Sequence, residues 1–113
     1  MSKIMIVEYE EELAEILSTY LSDHGHSCCT LSRPNSSLPG SELSEHSLLI
    51  LDWNSVIRSY EQWLPKLAAV AHTSRCIWTF SNDEDVRSCP KLFDQQILLI
   101  KPFALEKIVE FIK

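Results

Sequence analysis

Four residues of this chain, Glu8, Asp52, Ser81 and Lys101, are of the types a phosphoryl-transfer site needs. A carboxylate oxygen can attack phosphorus to give an acyl phosphate, and it needs no general base because it is already ionised at neutral pH. The incoming charge calls for a divalent cation, and hard oxygen ligands suit Mg²⁺. Glu8 and Asp52 could share such an ion, with backbone oxygen and water completing its shell. The hydroxyl of Ser81 and the ammonium of Lys101 could then bind the new phosphoryl oxygens. Taken singly, each residue has a plainer explanation. An Asp or Ser behind a strand often caps a helix or a turn, a Lys before Pro is usually solvated, and Glu8 opens an acidic stretch. Their placement sets them apart, because each directly follows a short apolar run.

Those runs are the elements that must position the four. Ile4-Met5-Ile6-Val7, Leu48-Leu49-Ile50-Leu51 and Ile97-Leu98-Leu99-Ile100 read as strands buried on both faces. Cys76 to Phe80 is a strand rich in aromatic and branched residues, and His26 to Leu31 is a plausible further strand. Leu13, Ile16, Leu17, Tyr20 and Leu21 recur at helical spacing behind an acidic first turn, and Gly25 reads as the stop. Residues 32–46 are rich in Ser, Pro and Gly, with one short helical turn at most. Pro65 in a first turn predicts a helix from about Leu64 to Ala71; Val56, Tyr60 and Trp63 could extend it backward with a kink at the proline. Ser81-Asn82-Asp83-Glu84 caps a short helix limited by Pro90, and Leu105, Ile108, Val109 and Ile112 mark a last amphipathic helix. The order β-α-β-(weak α)-β-α-β-(short α)-β-α implies a doubly wound parallel sheet with helices on both faces. Ligands of such sheets bind beyond the carboxyl ends of the strands, where Glu8, Asp52, Ser81 and Lys101 all fall.

The 113 residues fit one domain, 1–113, that can bury its own core. A formal net charge of -6 and the lack of any Lys/Arg cluster speak against direct nucleic-acid binding. Cys28, Cys29, Cys76 and Cys89 match no zinc or C-x-x-C spacing and read as free thiols of a reducing compartment. No signal peptide is expected at the start, and no apolar run approaches the ~20 residues that cross a bilayer, so a cytoplasmic protein without a membrane segment is expected. The only glycines are Gly25 and Gly40, which leaves no Gly-rich loop for a nucleotide or flavin. The histidines, His24, His26, His46 and His72, sit away from the strand ends, which speaks against a hydrolase.

As an ordered set, K-I-M-I-V-E-Y-E (3–10), L-L-I-L-D-W-N (48–54), the strand ending at Ser81 and K-P-F (101–103) resemble the receiver domain of bacterial response regulators, across essentially the whole chain. The resemblance implies a flavodoxin-like (βα)₅ fold, here with a weak second helix and a shortened fourth helix. It implies Asp52 as phosphoacceptor, Asn54 offering its backbone carbonyl to Mg²⁺ beside Glu8 and Asp52, Ser81 as switch hydroxyl, and Lys101 as phosphate contact in a cis bond to Pro102. It also implies a signalling protein that is no enzyme beyond self-phosphorylation, with a histidine kinase or other signalling protein as partner and a homodimer as a further option.

The chain departs from that pattern. Receivers carry two adjacent acids after the first strand, and here those positions are Glu8 and Tyr9. A neutral phenol is a poor Mg²⁺ ligand, so Mg²⁺ binding is expected to be weak or absent. Leu98-Leu99-Ile100 stands where an aromatic switch residue is common. Two functions follow. The first is a receiver that accepts a phosphoryl group on Asp52 despite an impaired Mg²⁺ site. The alternative is a pseudo-receiver that binds proteins without phosphorylation, for which Trp53, Trp63 and Trp78 would offer interface surface if exposed.

Overall fold

The computed structural model describes residues 2–31 and 43–113. The expected weak helix within residues 32–46 falls largely outside the described residues. Five strands, β1 (Lys3–Val7), β2 (Ser27–Leu31), β3 (Leu48–Asp52), β4 (Arg75–Phe80) and β5 (Gln96–Ile100), form one sheet in the order β2-β1-β3-β4-β5. Every pairing is parallel. The helices that lie wholly within the described residues are α1 (Glu11–Asp23), α2 (Trp53–Ile57), α3 (Tyr60–Val70), α4 (Asp83–Val86) and α5 (Glu106–Ile112). This is the flavodoxin-like arrangement expected.

Alternation along the strands divides the core into two layers. Ile4, Ile6, Leu48, Ile50 and Ile77 face α1 and α5, where they meet Leu17, Leu21 and Ile108. Met5, Val7, Leu49, Leu51, Cys76, Trp78 and Phe80 face the other way, onto Trp53, Val56, Trp63, Leu67, Val70 and Phe93. Both faces of the central strands are thus covered, which is why their sequences read as unbroken apolar runs. Cys28 packs against the first layer while its neighbour Cys29 is exposed, and all four cysteines are free. Burial pushes the Cys89 thiol up to about 11, so it is a neutral filler at physiological pH.

Three expectations are corrected. The helix expected from about Leu64 starts at Tyr60, as the backward extension through Tyr60 and Trp63 allowed, and Pro65 lies inside it rather than in its first turn. Packing explains the earlier start: Trp63, Leu67 and Val70 form its buried stripe, and Ser59 accepts from the backbone of Gln62 and Trp63. Second, Trp53, Trp63 and Trp78 are all buried. Trp53 packs edge-on against Trp78, with ring centroids 5.6 Å apart, and against Phe80 at 5.7 Å. These rings build core, so they offer no interface surface. Third, Ile16 does not belong to the buried stripe of α1, which is Ala14, Leu17 and Leu21; it is exposed, whereas Leu13 and Tyr20 are partly buried against the core.

The helix stop at Gly25 is as expected. Gly25 has φ 87°, and its N–H and that of His26 donate to Ser22 and Leu21 carbonyls at 3.0 and 3.1 Å. A left-handed residue closing a helix in this way favours glycine. The fourth helix is a single turn capped by Asn82, whose side chain accepts from the Asp85 N–H at 3.0 Å. Because α4 is so short, Leu98 and Ile100 on the outer strand β5 remain 37% and 42% exposed. Among the described residues no helix is long and apolar enough to cross a membrane.

Candidate functional site

Parallel strands bring their carboxyl ends to one edge, and the register aligns them closely. Val7 pairs with Leu51, Asp52 with Thr79, and Phe80 with Ile100. Glu8 follows β1, with its N–H on the Leu31 carbonyl at 3.1 Å, and Lys101 follows β5, with its N–H on the Phe80 carbonyl at 2.8 Å. Backbone pairing therefore fixes where both side chains begin. The Lys101–Pro102 bond is cis, as expected.

The lysine reaches across β4 to both acids. Lys101 Nζ donates to Glu8 Oε1 at 2.8 Å and to Asp52 Oδ1 at 3.0 Å. The Asp52 side chain is 0% exposed, that of Glu8 3% and that of Lys101 16%. Burial raises the Glu8 carboxyl above its ordinary value, opposed by the Lys101 hydrogen bond. For Lys101 burial alone would lower the ammonium, but its bonds to Glu8 and Asp52 and their negative charges outweigh that and raise it. The three groups carry one positive charge against two negative ones.

The remaining oxygens also have donors. Asp52 Oδ2 accepts from the Ser55 N–H at 3.0 Å and from the Ser55 hydroxyl at 2.7 Å. Asp52 is thus the N-cap of α2. Ser55 Oγ in turn accepts the Tyr9 N–H at 3.0 Å, and Glu8 Oε2 accepts the Glu10 N–H at 3.1 Å. Ser55 is the site residue that sequence reasoning missed. An Asp followed three residues later by Ser at a strand end is the only signal that could have marked it.

Ser81 is not joined to this cluster directly. Its hydroxyl accepts from Asn54 Nδ2 at 3.1 Å, so the Asn54 side chain is committed to Ser81. Ser81 does border the same groove as Lys101, an open cavity of about 640 Å³ whose walls include Glu10, Glu12, Ile16 and Phe103. Tyr9, in the place of the second acid, is 49% exposed, and Lys101 Nζ lies 5.9 Å from the centre of its ring. That is cation–π range.

The donor set does not fit Mg²⁺. An octahedral shell of oxygens about 2.0–2.1 Å from the ion would have to form between Glu8 and Asp52, where the lysine ammonium already bridges them. Tyr9 adds no carboxylate. Among the described residues no group of three or more His, Cys, Asp or Glu side chains could hold a metal ion. Chemically, the arrangement is a buried ion triad in which one ammonium partly offsets and immobilises two carboxylates.

No model of a protein family matches the chain, and a search of curated proteins finds no match. Solved structures do match. The chain is similar to a response regulator receiver domain protein from Bacillus halodurans, with a TM-score of 0.76 at 21% identity over 98% of this chain and 96% of that one. The signal receiver domain of a putative Luxo repressor protein from Vibrio parahaemolyticus matches with a TM-score of 0.72 at 20% identity, over 98% and 86% of the two chains. Response regulator protein TrrA from Thermotoga maritima, solved in complex with Mg²⁺-BeF, matches with a TM-score of 0.69 at 20% identity, over 99% and 96%. With its strand order, its helices on both faces and these likenesses, the chain has the fold of the response regulator receiver domains.

Proposed function

We propose that residues 1–113 form a receiver-type domain of a two-component or phosphorelay pathway that signals through protein contacts, with Asp52 acting as a structural carboxylate. One observation carries this reading: Asp52 is fully buried, with Oδ1 held by Lys101 and Oδ2 held twice by Ser55. To attack phosphorus an oxygen must face its donor and give up those bonds without a divalent cation to shield the approach. Domain output then comes from the shape of the fold. Partners are a histidine kinase or other signalling protein, or a second copy of the chain. The open groove bordered by Leu13 and Ile16, and the uncovered Leu98 and Ile100, supply apolar surface for such contacts. On this reading the domain turns over no substrate, works in the cytoplasm, binds Mg²⁺ weakly or not at all, and leaves nucleic acid to other proteins, in keeping with its net charge of -6.

The second reading, a phosphoacceptor with an impaired Mg²⁺ site, is favoured by the convergence of Asp52 and Lys101 and by Ser81 bordering the same groove. In that reading Asp52 takes the phosphoryl group, Glu8 and the Asn54 carbonyl assist the metal, and Ser81 and Lys101 contact the phosphate. Incubation with Mg²⁺ and acetyl phosphate, followed by intact-mass measurement, separates the two. The structural-carboxylate reading expects no adduct on the wild type. A single phosphoryl adduct on the wild type that is absent from Asp52→Asn overturns it in favour of the phosphoacceptor.

A further inference from the structure

We propose that two copies of this chain join edge to edge through β5, in an antiparallel backbone ladder centred on Leu98 that runs one sheet through both molecules. The inference deepens the reading of a domain that signals through protein contacts, on which it rests, by naming a second copy as the partner. β5 is the last strand of the sheet. The Cys76 N–H donates to the Gln95 carbonyl at 3.0 Å, and the Lys101 N–H donates to the Phe80 carbonyl at 2.8 Å. Alternate residues of a strand bond to the same neighbour, so residues 95, 97, 99 and 101 turn toward β4. Gln96, Leu98 and Ile100 therefore turn their N–H and C=O groups to the open side, where no further strand stands among the described residues. Such a row of unpaired groups is a template for another strand unless charge, proline or a bulge blunts it. β5 reads Gln-Ile-Leu-Leu-Ile, without charge or proline, and its register against β4 is unbroken.

The strand is also complementary to itself. Pairing about Leu98 sets that residue opposite its own counterpart, Gln96 opposite Ile100, and Ile97 opposite Leu99. Leu98 and the Gln96–Ile100 pairs use the outward-turned groups and exchange N–H···O bonds in both directions, while Ile97 and Leu99 form the closer, non-bonded pairs. No pair carries a charge, so molecules of net charge -6 meet there without opposing like charges. On one face Leu98 and Ile100, left exposed by the single turn of α4, lie beside those of the second copy. On the other face Ile97 and Leu99 extend the layer that holds α1 and α5. Gln96 is the one polar side chain of β5, and its own molecule already satisfies it: Oε1 accepts the Phe93 N–H at 3.2 Å, and Nε2 donates to the Pro90 carbonyl at 3.1 Å. The opposite edge strand, β2, has no such character, because its exposed residues are Ser27, Cys29 and Thr30. A two-fold axis through β5 sets the Glu8, Asp52 and Lys101 clusters at opposite ends of the joined sheet.

Sedimentation velocity over a concentration series, with amide hydrogen exchange of the ¹⁵N-labelled protein at its dilute and concentrated ends, tests this. The wild type passes from monomer to dimer as concentration rises. The Gln96, Leu98 and Ile100 amides gain protection in the dimer, and those of Ile97 and Leu99, already turned to β4, change least. Leu98→Lys and Leu98→Glu alter an exposed position and keep the fold. Each sets like charges opposite one another on the two-fold axis and weakens self-association at least about 100-fold. Mixing the two variants in equal amounts restores the dimer, because opposite charges then face each other. A wild type that stays monomeric up to about 1 mM, a dimer that survives in both single variants, a mixture that remains monomeric, or protection that does not alternate along β5 each overturns the inference. Its failure differs from that of the functional reading. A phosphoryl adduct on Asp52 defeats the structural carboxylate and leaves the β5 ladder standing, while a monomeric wild type defeats the ladder and leaves that reading to other partners.

Discussion

Ser55 holds the Asp52 carboxylate with its hydroxyl and its own backbone N–H, and accepts the backbone of Tyr9. Ser55→Ala removes two of these bonds and leaves the Tyr9 N–H without its partner, so a loss of roughly 1–3 kcal/mol is expected in urea unfolding. A loss near zero would mean that water replaces the hydroxyl freely. Lys101 carries the larger contribution. Breaking a buried pair by removing one partner costs about 3–5 kcal/mol, and here one lysine serves two acids. Its raised ammonium also sets a pH window. A group whose folded value lies above its ordinary 10.5 gives stability that is fully present below 10.5 and is lost as pH climbs through the folded value. The difference in unfolding free energy between wild type and Lys101→Met should therefore hold steady through neutral pH and shrink only above 10.5. A difference that collapses well below that pH would contradict the triad. Glu8, Asp52 and Lys101 were legible in the sequence because each ends an apolar run in a parallel topology. Ser55 was not, because a serine three residues behind an aspartate is also what any helix cap looks like.

The elements show where periodicity is a good guide and where it fails. The strands were legible because burial on both faces leaves no polar interruption. For helix α3 the sequence left two starts open, because Pro65 prefers a first turn; the packing of Trp63, Leu67 and Val70 favours the earlier one. An interior proline lacks the N–H that would donate to the Glu61 carbonyl and crowds that turn. Since Pro65 is exposed, Pro65→Ala is expected to stabilise the protein by about 1–3 kcal/mol in thermal or urea unfolding; destabilisation would mean that the proline fixes a bend the core requires. Strand β5 offers a test of register. Leu98 is 37% exposed on the face that the short α4 leaves open, whereas Leu99 packs with the α1 and α5 layer. Leu98→Lys should stay within about 1 kcal/mol of wild type, while Leu99→Lys should cost roughly 2–4 kcal/mol. Equal costs would place β5 in a different register.

For the molecule as a whole, topology does what local sequence cannot. Parallel pairing in the order β2-β1-β3-β4-β5 sets Glu8, Asp52 and Lys101 at one edge, although 93 residues of chain separate the first from the last. Spacing along the chain predicted that convergence; the contacts within it came only from the side-chain geometry. The four groups were expected to surround a phosphoryl group and a metal ion. In this structure three of them bond to one another, and Ser81 is engaged by Asn54. Under the proposed function, this edge of a receiver-type fold is a closed ion cluster that supports surfaces for protein contacts. The most direct measurement is an electron-density map of the protein crystallised with excess Mg²⁺ and beryllium fluoride. The expected map shows Lys101 Nζ bridging Glu8 and Asp52, with no density for an ion or for beryllium fluoride on the Asp52 carboxylate. A metal with an oxygen shell between those acids, beryllium fluoride on Asp52 and the lysine moved aside would contradict it.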